Sequence, residues 1–267
     1  GVVVNPIAGM GGRVGLKGTD GKVAEAVERG AEPRAPDRAR RMLDRLAAVA
    51  PDAVVSVAAG PMGESAVRDA GFDPVRVVDP FSGETPDPTA TTAAHTAAAV
   101  RAFAGVDDEA GDADEIEPTD PVDLVLFVGG DGTAADVATA LEGTEVPMLG
   151  VPAGVKVYSS VFAVSPEDAA EVAASFSRTE RREVMDIDED AYREGEVNPT
   201  LRGVAHVPVA DDLQSSKQTA SGTVESLAEG VAADIRGRDG EGVTFVLGPG
   251  STVGAIKDEL GFEPSPI

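Results

Sequence analysis

The stretch Gly129-Gly130-Asp131-Gly132-Thr133 sets one carboxylate among three glycines, between the apolar run 124–128 and the helix-forming residues 134–141. Strand, glycine turn and helix in that order describe the carboxyl edge of a sheet, where open α/β folds bind their ligands. The helix that begins near Thr133 directs its positive end at the same crevice. An aspartate held there on bare backbone can accept a proton from an attacking hydroxyl or take part in holding a magnesium-phosphate complex. The same five residues also fit a plain Asp-Gly turn.

A second glycine-rich stretch opens the chain. Six glycines fall between Gly9 and Gly21, with Arg13, Lys17 and Lys22 among them, directly after the β-branched strand Val2–Val4 and the turn Asn5-Pro6. The loop is not the dinucleotide fingerprint, because the register that starts at Gly9 puts Val14 where the last glycine should stand. It is not a Walker loop either, because Leu16 precedes Lys17. Its physics favours an anion: glycines admit close backbone approach, and successive N–H groups make a cradle. A tight strand-to-helix turn is the other reading of Gly9, Gly11 and Gly12.

The elements that must position these stretches alternate along the chain. Helices are expected over 23–29, 37–49, 64–69 and 89–103, and strands over 53–59, 74–78 and 122–128. That alternation implies a parallel sheet covered by helices. After Pro152-Ala153-Gly154, helical sequence is expected through about residue 177, with Ser165-Pro166-Glu167-Asp168 as a helix start. From residue 179 the texture changes: 182–187, 204–209 and 243–247 look like strands joined by turns. The expected class is therefore α/β, an N-terminal parallel-sheet nucleotide-binding domain over 1–178 followed by a smaller β-rich domain over 179–267. The acidic run 107–120 reads as a solvated loop.

Composition sets the outer bounds. The 267 residues include 47 acidic against 22 basic side chains, for a net charge of −25, and only five of the basic residues are Lys. Such a chain repels itself in dilute buffer, whereas at molar salt the screening length falls to about 3 Å. Adaptation to a salt-rich cytoplasm follows as an expectation, with an ordinary acidic protein as the alternative. The charge argues against nucleic acid and anionic membranes as partners, since both are bound through Lys and Arg. Cysteine is absent, which removes disulfides, thiolate metal sites and a cysteine nucleophile. No stretch has the roughly 20 apolar residues of a membrane span, so the expected location is cytoplasmic. His95 and His206 stand too far apart to suggest a metal site or a triad. The chain opens at Gly1 without Met and stops soon after an expected helix, so a few leading residues and a tail are expected to be missing.

Taken together, GGDGT after a buried strand and an N-terminal strand ending in Asn-Pro resemble the NAD kinase and diacylglycerol kinase superfamily. The longer stretches NPIAGMGGRVGLKGTDG (5–21), GVPAGVKVYSSVFA (150–163) and DIDEDAYREG (186–195) are similar more narrowly to the ATP-NAD kinase-like branch of archaea and bacteria, here with the charge of a halophilic archaeon. The resemblance covers nearly the whole chain. It implies an α/β nucleotide-binding domain and a β-rich domain closing a cleft over it. Asp131 then takes the catalytic place, and Asn5, Gly9, Gly11, Gly12, Gly129, Gly130, Gly132, Thr133 and Lys156 take the phosphates of the donor. For Lys156 a plain surface position is equally compatible. The chain departs from the NAD kinase pattern where an Asn followed by an acid should recognise the ribose, because Asn198 is followed by Pro199. Gly250-Ser251-Thr252 only faintly echoes the Gly-Ser-Thr of NAD kinases.

The expected activity is transfer of phosphate from ATP, or polyphosphate, to a hydroxyl, foremost the 2'-hydroxyl of NAD, with Mg²⁺ accompanying the donor. A lipid or small-alcohol kinase and a nucleotide-binding regulator without turnover are the alternatives. The resemblance also implies a homo-oligomer. Asp186 and Asp188 share one side of an expected strand and with Glu189 and Asp190 could hold a hard cation, although a solvated acidic face explains them as well. No residue is assigned to a metal on this reading.

Overall fold

The computed structural model describes residues 1–14, 23–81, 85–106, 120–153, 157–187, 199–210, 221–238, 244–248 and 251–262. The fold is α/β, with a five-stranded parallel sheet and a two-stranded antiparallel one. The parallel sheet comprises β1 (Val2–Val4), β2 (Ser56–Ala58), β3 (Arg76–Val78), β4 (Val125–Gly129) and β5 (Met148–Pro152). Their order across the sheet is β3-β2-β1-β4-β5. In sequence the chain steps outward from β1 through β2 to β3, then returns to the far side of β1 for β4 and β5. The carboxyl ends of β1 and β4 therefore diverge at a topological switch point, the place where an open sheet leaves a crevice.

The central strands are buried on both faces, so they read as continuous apolar runs rather than alternating ones. β1 aligns Val2, Val3 and Val4 with Leu126, Phe127 and Val128. Phe127 meets Phe162 edge to face, with ring centroids 5.3 Å apart. A side chain on Gly150 would strike both rings, which fixes glycine in the middle of β5.

Helices cover the two faces. On one lies α3 (Ala35–Val49), packed on β1, β4 and β5 through the stripe Ala35, Ala39, Met42, Leu43 and Leu46. It pairs with α7 (Pro166–Ser175), where Arg41 grips Glu167 through two hydrogen bonds of 2.8 and 2.9 Å and Arg45 pairs with Glu171. On the other lie α5 (Ala93–Phe103) and α6 (Asp131–Ala140), which pack together. The shorter helices α1 (Met10–Arg13), α2 (Val23–Glu28) and α4 (Glu64–Asp69) fill the crossovers. α5 starts on Thr92, whose hydroxyl accepts the His95 N–H while His95 Nδ1 accepts the Thr92 N–H. His95 thus completes the helix cap and meets Phe81 edge to face, with ring centroids 5.1 Å apart, which accounts for one of the two histidines without chemistry.

The change expected near residue 179 is an antiparallel hairpin, β6 (Thr179–Ile187) and β7 (Pro199–Pro208), packed on α6 and β5. It lies in the first of two compact units, Gly1–Lys217. In the second, Gln218–Ile267, the described residues form α8 (Ser221–Gly237) and α9 (Ser251–Glu259). Within that unit the two helices pack together, burying Ala228, Ala232 and Ile256.

Two expectations need correction. Thr244–Gly248 is no strand: Val246 is 91% exposed, and among the described residues no strand lies alongside to take its backbone hydrogen bonds. Helix was also expected to follow Gly154, but α7 begins only at Pro166, with Ser165 as its cap at 3.1 Å from the Asp168 nitrogen. Of the preceding residues, 159–161 bend and turn, and Val161–Ala163 then lie beside β5, where the Gly150 N–H donates to the Val161 carbonyl and Gly150 and Phe162 form a bridge; Val157, Val161 and Phe162 are buried. Proline disfavours helix in the residue before it, Ser165, and the burial of these β-branched and aromatic side chains decides the rest. The acidic run from 107 to 119 lies outside the described residues.

Candidate active site

The two sequence stretches meet at the switch point. Asn5 follows β1 and takes a backbone bond from its own N–H to the Val128 carbonyl of β4 at 3.0 Å. Its side chain folds inward: Oδ1 accepts the Ile7 N–H at 3.3 Å, and Nδ2 donates to Thr133 Oγ1 at 3.0 Å. Thr133 itself is buried, in the first turn of α6. It sits so close under β4 that a Cβ on Gly129 would lie 2.4 Å from the Thr133 Cβ. Gly129 is therefore required by packing.

Gly130 and Gly132 are different. Both have ordinary backbone angles, and a Cβ on either would find nothing within 4 Å among the described residues. The fold does not demand glycine at these two positions, which border the N-terminus of α6. A backbone kept bare at a helix N-terminus, without a packing reason, suits the close approach of a phosphate to unsatisfied N–H groups.

Past Gly9 the opening loop turns into the short helix α1, with Gly9 at φ 79° as its N-terminal neighbour. Met10 is buried against Ile7 and Ala26 and pins the loop beneath α2. Gly11 is buried inside this turn, and Gly12 belongs to the same helix.

Asp131 is the best-held of the predicted residues. Its Oδ1 accepts the Tyr158 N–H at 3.0 Å and the Ser159 N–H at 2.8 Å, and Oδ2 accepts the Tyr158 N–H at 2.9 Å. Since a carboxylate oxygen can accept two hydrogen bonds, Oδ2 keeps capacity for a further donor among the described residues. Burial pushes the carboxyl above the ordinary aspartate range; the Ser159 N–H, the Ser159 hydroxyl and the Tyr158 N–H oppose this, and the charge of Asp186 adds to it. The outcome is an oriented carboxylate of raised basicity at the carboxyl edge of the sheet, the property a general base needs.

Sequence reasoning did not find Tyr158 and Ser159, because they act through backbone N–H groups that any residue carries. The signal within reach was the resemblance of GVPAGVKVYSSVFA (150–163), a stretch that contains both residues. Lys156 and Asn198 lie outside the described residues, as do Asp188, Glu189, Asp190 and Gly250. Asp186 is described, and it pairs with Arg202 at 3.1 Å. Among the described residues no three acids or histidines gather as a metal site, and no helix is long and apolar enough to cross a membrane.

Comparison with curated proteins and with solved structures found no match. The family model of the ATP-NAD kinase N-terminal domain matches residues 1–181, a span that holds the β1 and β4 loops, Asp131 and the segment that fixes it, and on that match the chain belongs to the ATP-NAD kinase family.

Proposed function

We propose that this protein transfers the terminal phosphate of ATP to the adenosine-ribose 2'-hydroxyl of NAD, giving NADP and ADP. The observation that carries the reading is Asp131, a carboxylate of raised pKa fixed at the switch point beside two glycines that the fold does not require. In this reading Gly130 and Gly132 let the phosphates approach α6, and Asn5 with Gly9, Gly11 and Gly12 shapes the facing wall. Asp131 takes the proton of the attacking hydroxyl while its oxygen bonds to phosphorus and the bond to the ADP oxygen breaks.

Mg²⁺ would travel with the nucleotide phosphates and neutralise their charge. The described residues fit that arrangement better than a metal cage of their own, since no group of three ligating side chains exists among them. Lys156 and Thr133 complete the donor side of the proposal. The part from residue 179 onward is proposed as the acceptor-side domain, and the working protein as a cytoplasmic homo-oligomer adapted to high salt.

The test is to incubate the protein in molar KCl with Mg²⁺, ATP or polyphosphate, and acceptors that include NAD, a diacylglycerol and small alcohols. NADP and ADP in equal amounts support the proposal. Phosphorylation of another acceptor alone replaces NAD with that acceptor, and saturable ATP binding without turnover under every condition makes the protein a regulator.

A further inference from the structure

The hairpin β6–β7 carries an irregularity next to Asp131. Val184 pairs with Gly203 but Met185 pairs with Leu201, so Arg202 is the extra residue of a β-bulge. Bulges break the ladder locally and re-aim the chain, and they recur beside active sites. Here the backbone of Met185 turns to one side chain from outside the hairpin. Ser159 Oγ donates to the Met185 carbonyl at 2.7 Å and accepts the Met185 N–H at 3.0 Å. Ser159 is 1% exposed, so the hydroxyl exchanges both bonds away from water. The backbone N–H of this same serine holds Asp131 Oδ1 at 2.8 Å.

We propose that Ser159 is a positioning residue for phosphoryl transfer: its hydroxyl locks the 158–159 backbone against the bulge of the hairpin, and through that backbone the hairpin sets the orientation of the Asp131 carboxylate. The neighbouring bonds support the coupling. Arg202, the bulge residue, holds Asp186, whose charge acts on Asp131, while Arg182 of β6 donates to the Ser160 carbonyl at 3.3 Å. The hairpin is thereby fastened to both residues that follow Tyr158. A serine kept only for stability would need no link to the carboxylate. This one joins the two by a single residue, through its side chain on one side and its amide on the other.

The inference rests on Asp131 acting as the base, and a double-mutant cycle separates the two. Ser159→Ala, Asp131→Asn and the double variant are compared for kcat, for KM of ATP and for melting temperature, using the acceptor that the wild-type protein turns over. Ser159→Ala is expected to lose about tenfold to about a hundredfold in kcat, the scale of an ångström-level misplacement. KM for ATP should stay within about twofold, because the donor loops are not touched, and in the Asp131→Asn background the serine change should cost nothing further. A folded Ser159→Ala with wild-type kcat beside an inactive Asp131→Asn overturns this inference alone, as does full multiplication of the two effects. A fully active Asp131→Asn overturns the base reading and this inference with it. Should Ser159→Ala fail to fold, Ser159→Cys keeps the volume, weakens both bonds and is read by the same criteria.

Discussion

Asn5 and Thr133, 128 residues apart in sequence, are joined by a 3.0 Å hydrogen bond from Nδ2 to Oγ1 that closes the crevice floor between β1 and β4. Each side chain is thereby committed to the other, so both act in the site by fixing the two loops relative to each other. Thr133→Val keeps the shape and removes the acceptor, and it should cost about 1 to 2 kcal/mol, because a polar group of Asn5 then loses its partner in a partly buried place. Chemical denaturation of Thr133→Val, Asn5→Ala and the pair measures the coupling; additive effects would show that the bond ties nothing together.

Two alanine substitutions in one motif should behave oppositely. Gly129→Ala drives its Cβ into Thr133 and should destabilise the fold by about 1 to 3 kcal/mol, the usual cost of overpacking. Gly132→Ala meets open space inside α6, so stability should hold or rise by up to about 1 kcal/mol. If phosphate approaches there, ATP affinity should nevertheless fall. Calorimetric titration with ATP decides, and unchanged affinity in Gly132→Ala would remove α6 from the donor site. Gly11→Val is a poor probe of donor binding, because Gly11 is buried in α1 and the variant would disturb packing as well as binding.

Asp131→Asn should reduce kcat by about 10² to 10⁴. In the wild-type protein, activity should fall at low pH through a limb lying above the ordinary aspartate pKa of about 3.9, since burial raises the carboxyl and the base must be unprotonated. The limb should vanish in the variant, and a pH–rate profile of both proteins is the measurement. Stability follows the opposite sign. With the folded pKa raised, the stabilising contribution of this group is full below its unfolded pKa and is lost as pH rises through the folded one. At neutral pH the buried charge is therefore a cost. Asn removes that cost and can keep both bonds to Oδ1, but turns an NH₂ toward the Tyr158 N–H, so the net change should stay within about 1 kcal/mol.

Salt should stabilise this protein. Ion pairs among the described residues, such as Arg41 with Glu167 and Arg40 with Asp37 and Asp44, are largely exposed and should weaken as salt rises. The repulsion set by a net charge of −25 is screened by the same salt and is the larger effect, because acids outnumber bases by more than two to one. The melting temperature should therefore climb steeply between dilute buffer and molar KCl. A flat or falling curve would return the composition to that of an ordinary acidic protein.

The parallel sheet and its covering helices were legible in the sequence because hydrophobic period is local. Val2–Val4 and 122–128 read as buried strands, the second seen as Val125–Gly129, and α3 reads as one apolar stripe, from spacing alone. Gly9 and Gly129 were legible for a related reason: glycine announces where a backbone needs a positive φ, as at Gly9, or room, as at Gly129. The family pattern proposes Asp131 as the residue at the chemistry without any coordinates.

What only the tertiary structure decided is who holds whom. Which glycine of GGDGT serves packing and which stays bare depends on the distance from Gly129 to Thr133, and a string of residues carries no distances. The apolar residues of 157–163 suit helix as well as other structure locally; burial against β5 chose a bend and turn that end in a bridge from Phe162 to Gly150. The bonds to Asp131 from the Tyr158 and Ser159 backbone N–H groups leave no mark in residue type, and the hydroxyl of Ser159 finds its partner at a bulge 26 residues further along, which the serine alone does not announce. Sequence determines which side chains and which periodicities are available, whereas bonds made by the backbone across the fold exist only once the chain has closed on itself.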